Sequence, residues 1–195
     1  FRLQNVSTVP ADRMITVRDL LSHSSGLEQG FVGLILMMKM KFRDDTLETR
    51  AQKYATHPLD FQPGTTASYS PLAGFDILAR LVEIVSGKPF AEYVSDNIFT
   101  PLDMHDATYH PTPAQRARIP KLYQYGKRKL KDVTGSKRDL DAIGHIGPKY
   151  TSGSAGLYAT LEDYDRFVQM LANEGELDGV RILQPETVRQ MHTEG

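Results

Sequence analysis

Among the side chains able to do chemistry, Tyr69 is singled out by its surroundings. It lies in Gln62-Pro63-Gly64-Thr65-Thr66-Ala67-Ser68-Tyr69-Ser70-Pro71-Leu72-Ala73-Gly74-Phe75. A Pro-Gly turn opens this stretch, a Thr/Ala/Ser/Tyr run of strand-like composition follows, and an apolar pattern of helical period then begins. A tyrosine at such a junction can be aimed at a cleft. A phenol held beside cations can serve as a general base, because they favour its ionised form. The other reading of such a residue is a packed aromatic with a satisfied hydroxyl.

Several other chemistries find no support. The 195 residues include no cysteine, which removes disulfides, thiol catalysis and thiolate metal sites. The six histidines show no H-E-x-x-H or comparable ligand spacing, and His105 and His110 merely flank a turn-like stretch, so no metal is expected. Neither G-x-x-x-x-G-K-[ST] nor G-x-G-x-x-G occurs, so no nucleotide or other cofactor is expected. Gly153-Ser154-Ala155-Gly156 approaches the G-x-S-x-G elbow, but Ala155 breaks its spacing. A net charge of −1, with 40% hydrophobic and 24% charged residues, is that of an ordinary globular chain and gives no reason to expect a nucleic acid or an anionic membrane as partner. The most apolar window, Phe31 to Met38, is closed by Lys39 and Lys41 and falls short of the ~20 residues of a membrane span. Periplasmic or extracellular and cytoplasmic locations are both compatible with this composition. The chain opens at Phe1-Arg2 with neither an initiator methionine nor a signal-peptide pattern, which reads as a processed or truncated product.

The elements that must position Tyr69 follow from caps and periodicity. Thr16 is an N-cap with Asp19 at capping-box distance, and Val17, Leu20 and Leu21 give a short helix its apolar face. Ser22-His23-Ser24-Ser25-Gly26-Leu27 stops it, with Gly26 as the expected terminator. The window from Phe31 to Met40 carries methionine at 37, 38 and 40 and reads as a pliable apolar surface. A helix from Asp44 or Asp45 runs through Leu47, Arg50, Ala51 and Tyr54 and ends at His57-Pro58. The strongest helical pattern spans Leu72 to Val85. Its stripe of Leu72, Phe75, Leu78, Ala79, Val82 and Val85 is widened by Ile77, Leu81 and Ile84, so burial on most sides is expected.

Gly87 fits a C′ position and Pro89 the N1 of a further helix faced by Phe90, Tyr93, Val94 and Ile98, after which Pro101 to Met104 turns the chain. Residues 111–153 are rich in proline, glycine and basic side chains, densest at Lys127-Arg128-Lys129-Leu130-Lys131, and read as a solvated hairpin or long loop. Thr160 and Asp163 then start a helix faced by Leu161, Tyr164, Phe167, Val168 and Leu171. Asn173-Glu174-Gly175 breaks it, Asp178-Gly179 is a tight turn, and Gln184-Pro185-Glu186 opens a last helix. With no repeat and no interdomain linker, residues 1–195 read as a single domain with an excursion at about 111–153.

Ile15-Thr16-Val17-Arg18-Asp19-Leu20-Leu21-Ser22-His23-Ser24-Ser25-Gly26-Leu27 resembles a signature block of the serine β-lactamase-like superfamily, in its class C β-lactamase, D-alanyl-D-alanine carboxypeptidase and esterase branch. Further blocks agree in order: Pro63-Gly64-Thr65 with Tyr69-Ser70, Ser86-Gly87-Lys88-Pro89-Phe90 with Tyr93, Ile98 through Met104, and Ser154-Ala155-Gly156-Leu157-Tyr158-Ala159-Thr160 leading to Asp163, Arg166 and Phe167. The tail from Gly175 through Leu183, Pro185 and Glu186 also fits, so the resemblance spans nearly the whole chain.

The resemblance implies a mainly α chain with short β strands, the helical-domain portion of the α+β β-lactamase/transpeptidase-like fold. In that family a serine of S-x-x-K forms an acyl-enzyme, the lysine and the tyrosine of Y-[SA]-N move protons, and a K-T-G or H-T-G strand helps bind the carboxylate and form the oxyanion hole. Carried over, Tyr69 is the catalytic proton relay and Ser70 its substrate-binding neighbour. Glu28 and Gln29, just past the S-G-L block, are expected to face substrate at the cleft mouth. Three departures stand out. No serine is followed by lysine at the third position, no K-T-G or H-T-G occurs, and Pro71 replaces the motif asparagine, removing an amide side chain and a backbone N–H. The implied function is a fragment of a serine hydrolase acting on β-lactam, D-Ala peptide or ester substrates, inactive alone. Its partners would be a small-molecule or peptide substrate in the complete protein and the missing portion of its own parent chain. The alternative is a non-catalytic binding or interaction module derived from the same fold.

Overall fold

The computed structural model describes residues 7–28, 30, 33, 35, 45–126, 128–136 and 150–193. In chain order its elements are α1 (Val17–Leu21), α2 (Leu47–Tyr54), α3 (Ala73–Ser86), α4 (Phe90–Val94) continued by a π-helical turn (Ser95–Phe99), α5 (Pro113–Arg116), β1 (Tyr123–Gly126), β2 (Lys129–Asp132), α6 (Leu161–Ala172), β3 (Glu176–Leu177), β4 (Val180–Arg181) and α7 (Pro185–Met191). The mainly helical composition with short strands is the fold class expected from the sequence.

Threonine hydroxyls set where these helices begin. Thr16, Thr46 and Thr112 each accept a backbone N–H three residues on and in return donate their own backbone N–H to the side chain of that residue, Asp19, Thr49 and Gln115, in a capping box. Thr160 caps α6 through Asp163 N–H. Each cap satisfies an amide that would otherwise lack a partner in the helix, an effect of about 1 kcal/mol. The Asp178-Gly179 turn has both central residues in the left-handed region, at φ 51° and 80°, and closes the β3–β4 hairpin as a two-residue loop of this kind requires. Pro185 opens α7, and Gly87 follows α3 at φ 70°.

The described chain divides into two compact units. One comprises Phe1–Leu81 and Gly147–Ser154. Its buried apolar cluster is Leu20, Leu27, Tyr54 and Ala73, with Ile15, Leu59, Ile77 and Leu78 packed against it. The other comprises Val82–Ile146 and Ala155–Gly195. There, Val94, Phe99, Leu102, Met104, Met170 and Leu177 form the core. In that unit the β1–β2 hairpin pairs Tyr123 with Asp132 and Gly126 with Lys129, and its described residues are exposed.

Four local expectations are corrected. Thr65 to Ser68 forms no strand, because its neighbouring amides are spent on a turn: Gly64 N–H donates to Ser24 O at 2.8 Å and Ser68 N–H to His23 O at 2.9 Å. Helix α1 ends at Ser22 and His23, the latter at φ 53°, rather than at Gly26. Gly26 instead permits a close approach, since a Cβ there would lie 2.4 Å from Phe61 O. Helix α3 is not buried on most sides; Ile84 and Val85 are exposed, while the deepest positions are Ala73, Gly74, Asp76 and Ala79. Helix α6 centres on Met170, whereas Leu161, Tyr164 and Val168 are exposed. The Met-rich stretch lies largely outside the described residues.

Gly153 lies against α3 so closely that an added Cβ would sit 2.2 Å from Phe75 O, a backbone atom that cannot swing aside. Gly153→Ala should therefore destabilise the protein by about 1–3 kcal/mol. Gly126→Ala, where the added carbon meets nothing within 4 Å, is the control. Denaturant midpoints read both, and a Gly153→Ala midpoint equal to wild type contradicts the close approach.

Candidate active site

A carboxylate with no exposed surface lies at the centre of the first unit. Asp76, on α3, accepts from Tyr54 OH at 2.8 Å and from Tyr150 OH on Oδ2, and from Ser152 Oγ at 2.9 Å and Gly153 N–H at 3.0 Å on Oδ1. Its counter-charge is Arg50 of α2, equally buried, with Nε 4.0 Å from Oδ2. The guanidinium also donates to Tyr150 OH at 3.3 Å and lies over the Tyr150 ring at 4.8 Å. Burial, followed by the proximity of Asp76, pushes the Tyr54 and Tyr150 phenols well above the usual range, so both act as donors to the carboxylate. The network ties α2, α3 and the 150–153 segment into one body.

The loop leading to Tyr69 is laid against the turn after α1. Asp60 N–H donates to Gly26 O at 2.8 Å, Gly64 N–H to Ser24 O, Ser68 N–H to His23 O, and Ser70 N–H to His23 Nδ1 at 3.3 Å. Arg13 grips Asp19 with two nitrogens, at 2.6 and 2.8 Å, and together with Thr16 holds that carboxyl well below the usual carboxylate range. The Ile15–Leu27 block and the Pro63–Ser70 block, separate in sequence, thus meet along one seam.

The expected site residues fare differently. Tyr69 stands at the end of this seam with its side chain outward, 67% exposed. Ser70 points the other way: it is buried, and its Oγ accepts Gly74 N–H at 3.2 Å at the start of α3. Glu28 is not an open loop residue; it is 4% exposed, at φ 49°, with Oε1 3.1 Å from His57 Nδ1. Burial pushes its carboxyl up to about 7 and pushes His57 down, so burial disfavours the charged form of each, and one hydrogen bond joins Oε1 and Nδ1. Gln29 lies outside the described residues. Among the described residues no group of three or more His, Cys, Asp or Glu is placed to hold a metal ion, and no helix is long and apolar enough to cross a membrane.

Sequence reasoning passed over Asp76 and Arg50. The available signal was a charged residue on the buried face of each of two helices, of opposite sign: Asp76 amid Ala73 and Ala79, and Arg50 between Leu47 and Tyr54. In the second unit, the Ala155–Thr160 part of the last motif block is held by reciprocal Thr108–Tyr158 backbone bonds at 2.8 and 2.9 Å, and Asp163 Oδ2 accepts Asp106 N–H just beyond it.

The family model described as Beta-lactamase matches residues 5–194. An uncharacterised protein of Mycobacterium tuberculosis is 32% identical over 192 residues, 96% of this chain and 46% of the relative. Lovastatin esterase of Penicillium rubens is 31% identical over 189 residues, covering 93% and 45% respectively. Among solved structures, simvastatin synthase of Aspergillus terreus superposes with a TM-score of 0.70 at 23% identity, covering 94% of this chain and 44% of that one. A penicillin-binding protein of Bacillus halodurans gives 0.66 at 24%, covering 92% and 51%. Those two likenesses show a shared fold. The chain spans less than half the length of the two curated relatives.

Two outcomes follow from this geometry. Asp76→Ala strands two tyrosine hydroxyls and a buried guanidinium and should destabilise by about 3–5 kcal/mol, read by denaturant unfolding; a loss below ~1 kcal/mol is within the range of an ordinary surface change and contradicts the hub. For Glu28, the folded protein keeps a proton between about 4.5 and about 7 that the unfolded chain has released. Its contribution is therefore fully present below the lower value and is lost as pH rises through the upper, by up to about 3 kcal/mol. Glu28→Gln should remove that part of the pH slope; identical slopes contradict the assignment.

Proposed function

The chain belongs to the beta-lactamase family, and from that premise we propose that it carries the proton-relay tyrosine and one wall of the substrate cleft of a serine acyl-hydrolase. The observation that carries this reading is the contrast at residues 69 and 70. Ser70 is buried as a helix cap, while the Tyr69 phenol projects outward from a loop whose amides are held on both sides of it. A relay group needs a fixed base and an open tip, and Tyr69 has both.

In the complete protein a serine hydroxyl from polypeptide outside this chain attacks the ester or amide carbonyl. Its proton passes by way of Tyr69 to the leaving group, and water then releases the acyl group. This chain has no S-x-x-K serine, so alone it forms no acyl-enzyme. The substrate is a small molecule or peptide bearing an activated or strained acyl group, the class to which the name of the relative lovastatin esterase points. Pro71 leaves the motif position without an amide to hold substrate, which favours ester over β-lactam turnover and is also the one observation that favours a non-catalytic module.

The test uses the complete protein. A fluorophosphonate probe should label a serine outside this chain, and Tyr69→Phe should lower kcat on a p-nitrophenyl ester by about 10²-fold or more. An unchanged rate removes Tyr69 from the mechanism, and no labelling of the complete protein favours the module.

A further inference from the structure

One residue touches the Tyr69 loop on both sides of the phenol. The His23 carbonyl accepts Ser68 N–H at 2.9 Å, and its Nδ1 accepts Ser70 N–H at 3.3 Å. The imidazole ring lies 4.9 Å from the Tyr69 ring, tilted by 47°. It also meets Phe75 in the first turn of α3, edge-on at 5.4 Å and 74°. The imidazole is thus a spacer between the phenol and α3, bonded to the amide directly after it.

Two physical points make this more than packing. A backbone N–H can only donate, so Nδ1 must keep its lone pair, and the imidazole works as the neutral tautomer protonated on Nε2. His23 also sits at φ 53°, just past the end of α1, where glycine would be adopted without steric penalty. Such a backbone persists where the surrounding structure over-determines it, and the two bonds to Ser68 and Ser70 do so here.

We infer that His23 is a positioning residue for Tyr69, holding the phenol's direction through its ring and the following amide through Nδ1. This rests on the reading of Tyr69 as the proton relay. The two functions of the side chain separate by substitution. His23→Gly keeps only the backbone, His23→Phe keeps a ring without an acceptor, and His23→Asn keeps an acceptor and tolerates the left-handed backbone without the ring.

The experiment takes the complete protein labelled with ¹³Cζ-tyrosine, the Tyr69 resonance being assigned by its loss in Tyr69→Phe, alongside p-nitrophenyl ester kinetics. His23→Gly should shift and broaden the Tyr69 resonance and lower kcat by about 10-fold or more with KM little changed, because misplacement acts on the transition state. His23→Asn and His23→Phe should each recover part of both effects, and either serves if the glycine variant does not fold. A Tyr69 resonance unmoved in all three variants overturns the inference. If Tyr69→Phe itself leaves turnover intact, the relay reading fails, and the positioning role then stands or falls on the resonance alone.

Discussion

The structure around Tyr69 depends on a buried carboxylate that faces one guanidinium. Asp76 and Arg50 have no exposed surface, and their charges come within 4.0 Å. Bringing such a pair out of water is costly unless every lone pair and proton finds a partner. The two tyrosine hydroxyls, Ser152 Oγ and the Gly153 amide satisfy the carboxylate. Those donors come from α2 and from a segment more than 70 residues away in the chain, so satisfying Asp76 also fixes which backbone lies beside α3. Gly153 completes the arrangement, since only a residue without Cβ approaches Phe75 O so closely.

The start of α3, fixed in this way, in turn defines the loop before it. Ser70 caps the helix from inside, Phe75 meets the His23 ring, and His23 holds the amides on either side of Tyr69. The exposed phenol is therefore the end of a chain of contacts that starts in the core.

Local rules made much of this legible in advance. The Thr16–Asp19 capping box, the Thr160 cap, the Asp178-Gly179 hairpin turn and the Pro185 helix start are all short-range chemistry, decided within four residues, and all are found. The misreadings occur where tertiary contacts decide. Thr65 to Ser68 has strand composition but pairs with a turn, and Glu28, expected to face substrate at a cleft mouth, folds inward onto His57. Asp76 was hidden because an apolar stripe is read for its hydrophobic members, and the acid embedded in it was the informative residue. The motif resemblance located Tyr69, but no pattern in one sequence could reveal that His23 would contact it from 46 positions away.

The central claim is that the Asp76 network holds the Tyr69 loop from beneath, and amide hydrogen exchange in Asp76→Asn tests it most directly. The substitution places an NH₂ donor against groups that are themselves donors while keeping the side chain's shape. Protection should fall together at Gly153, Ser68 and Ser70, by about 10-fold or more, while Thr108 and Tyr158 in the other unit stay as in wild type. If Gly153 opens while Ser68 and Ser70 keep their protection, the loop is held independently of the buried carboxylate and the account is wrong.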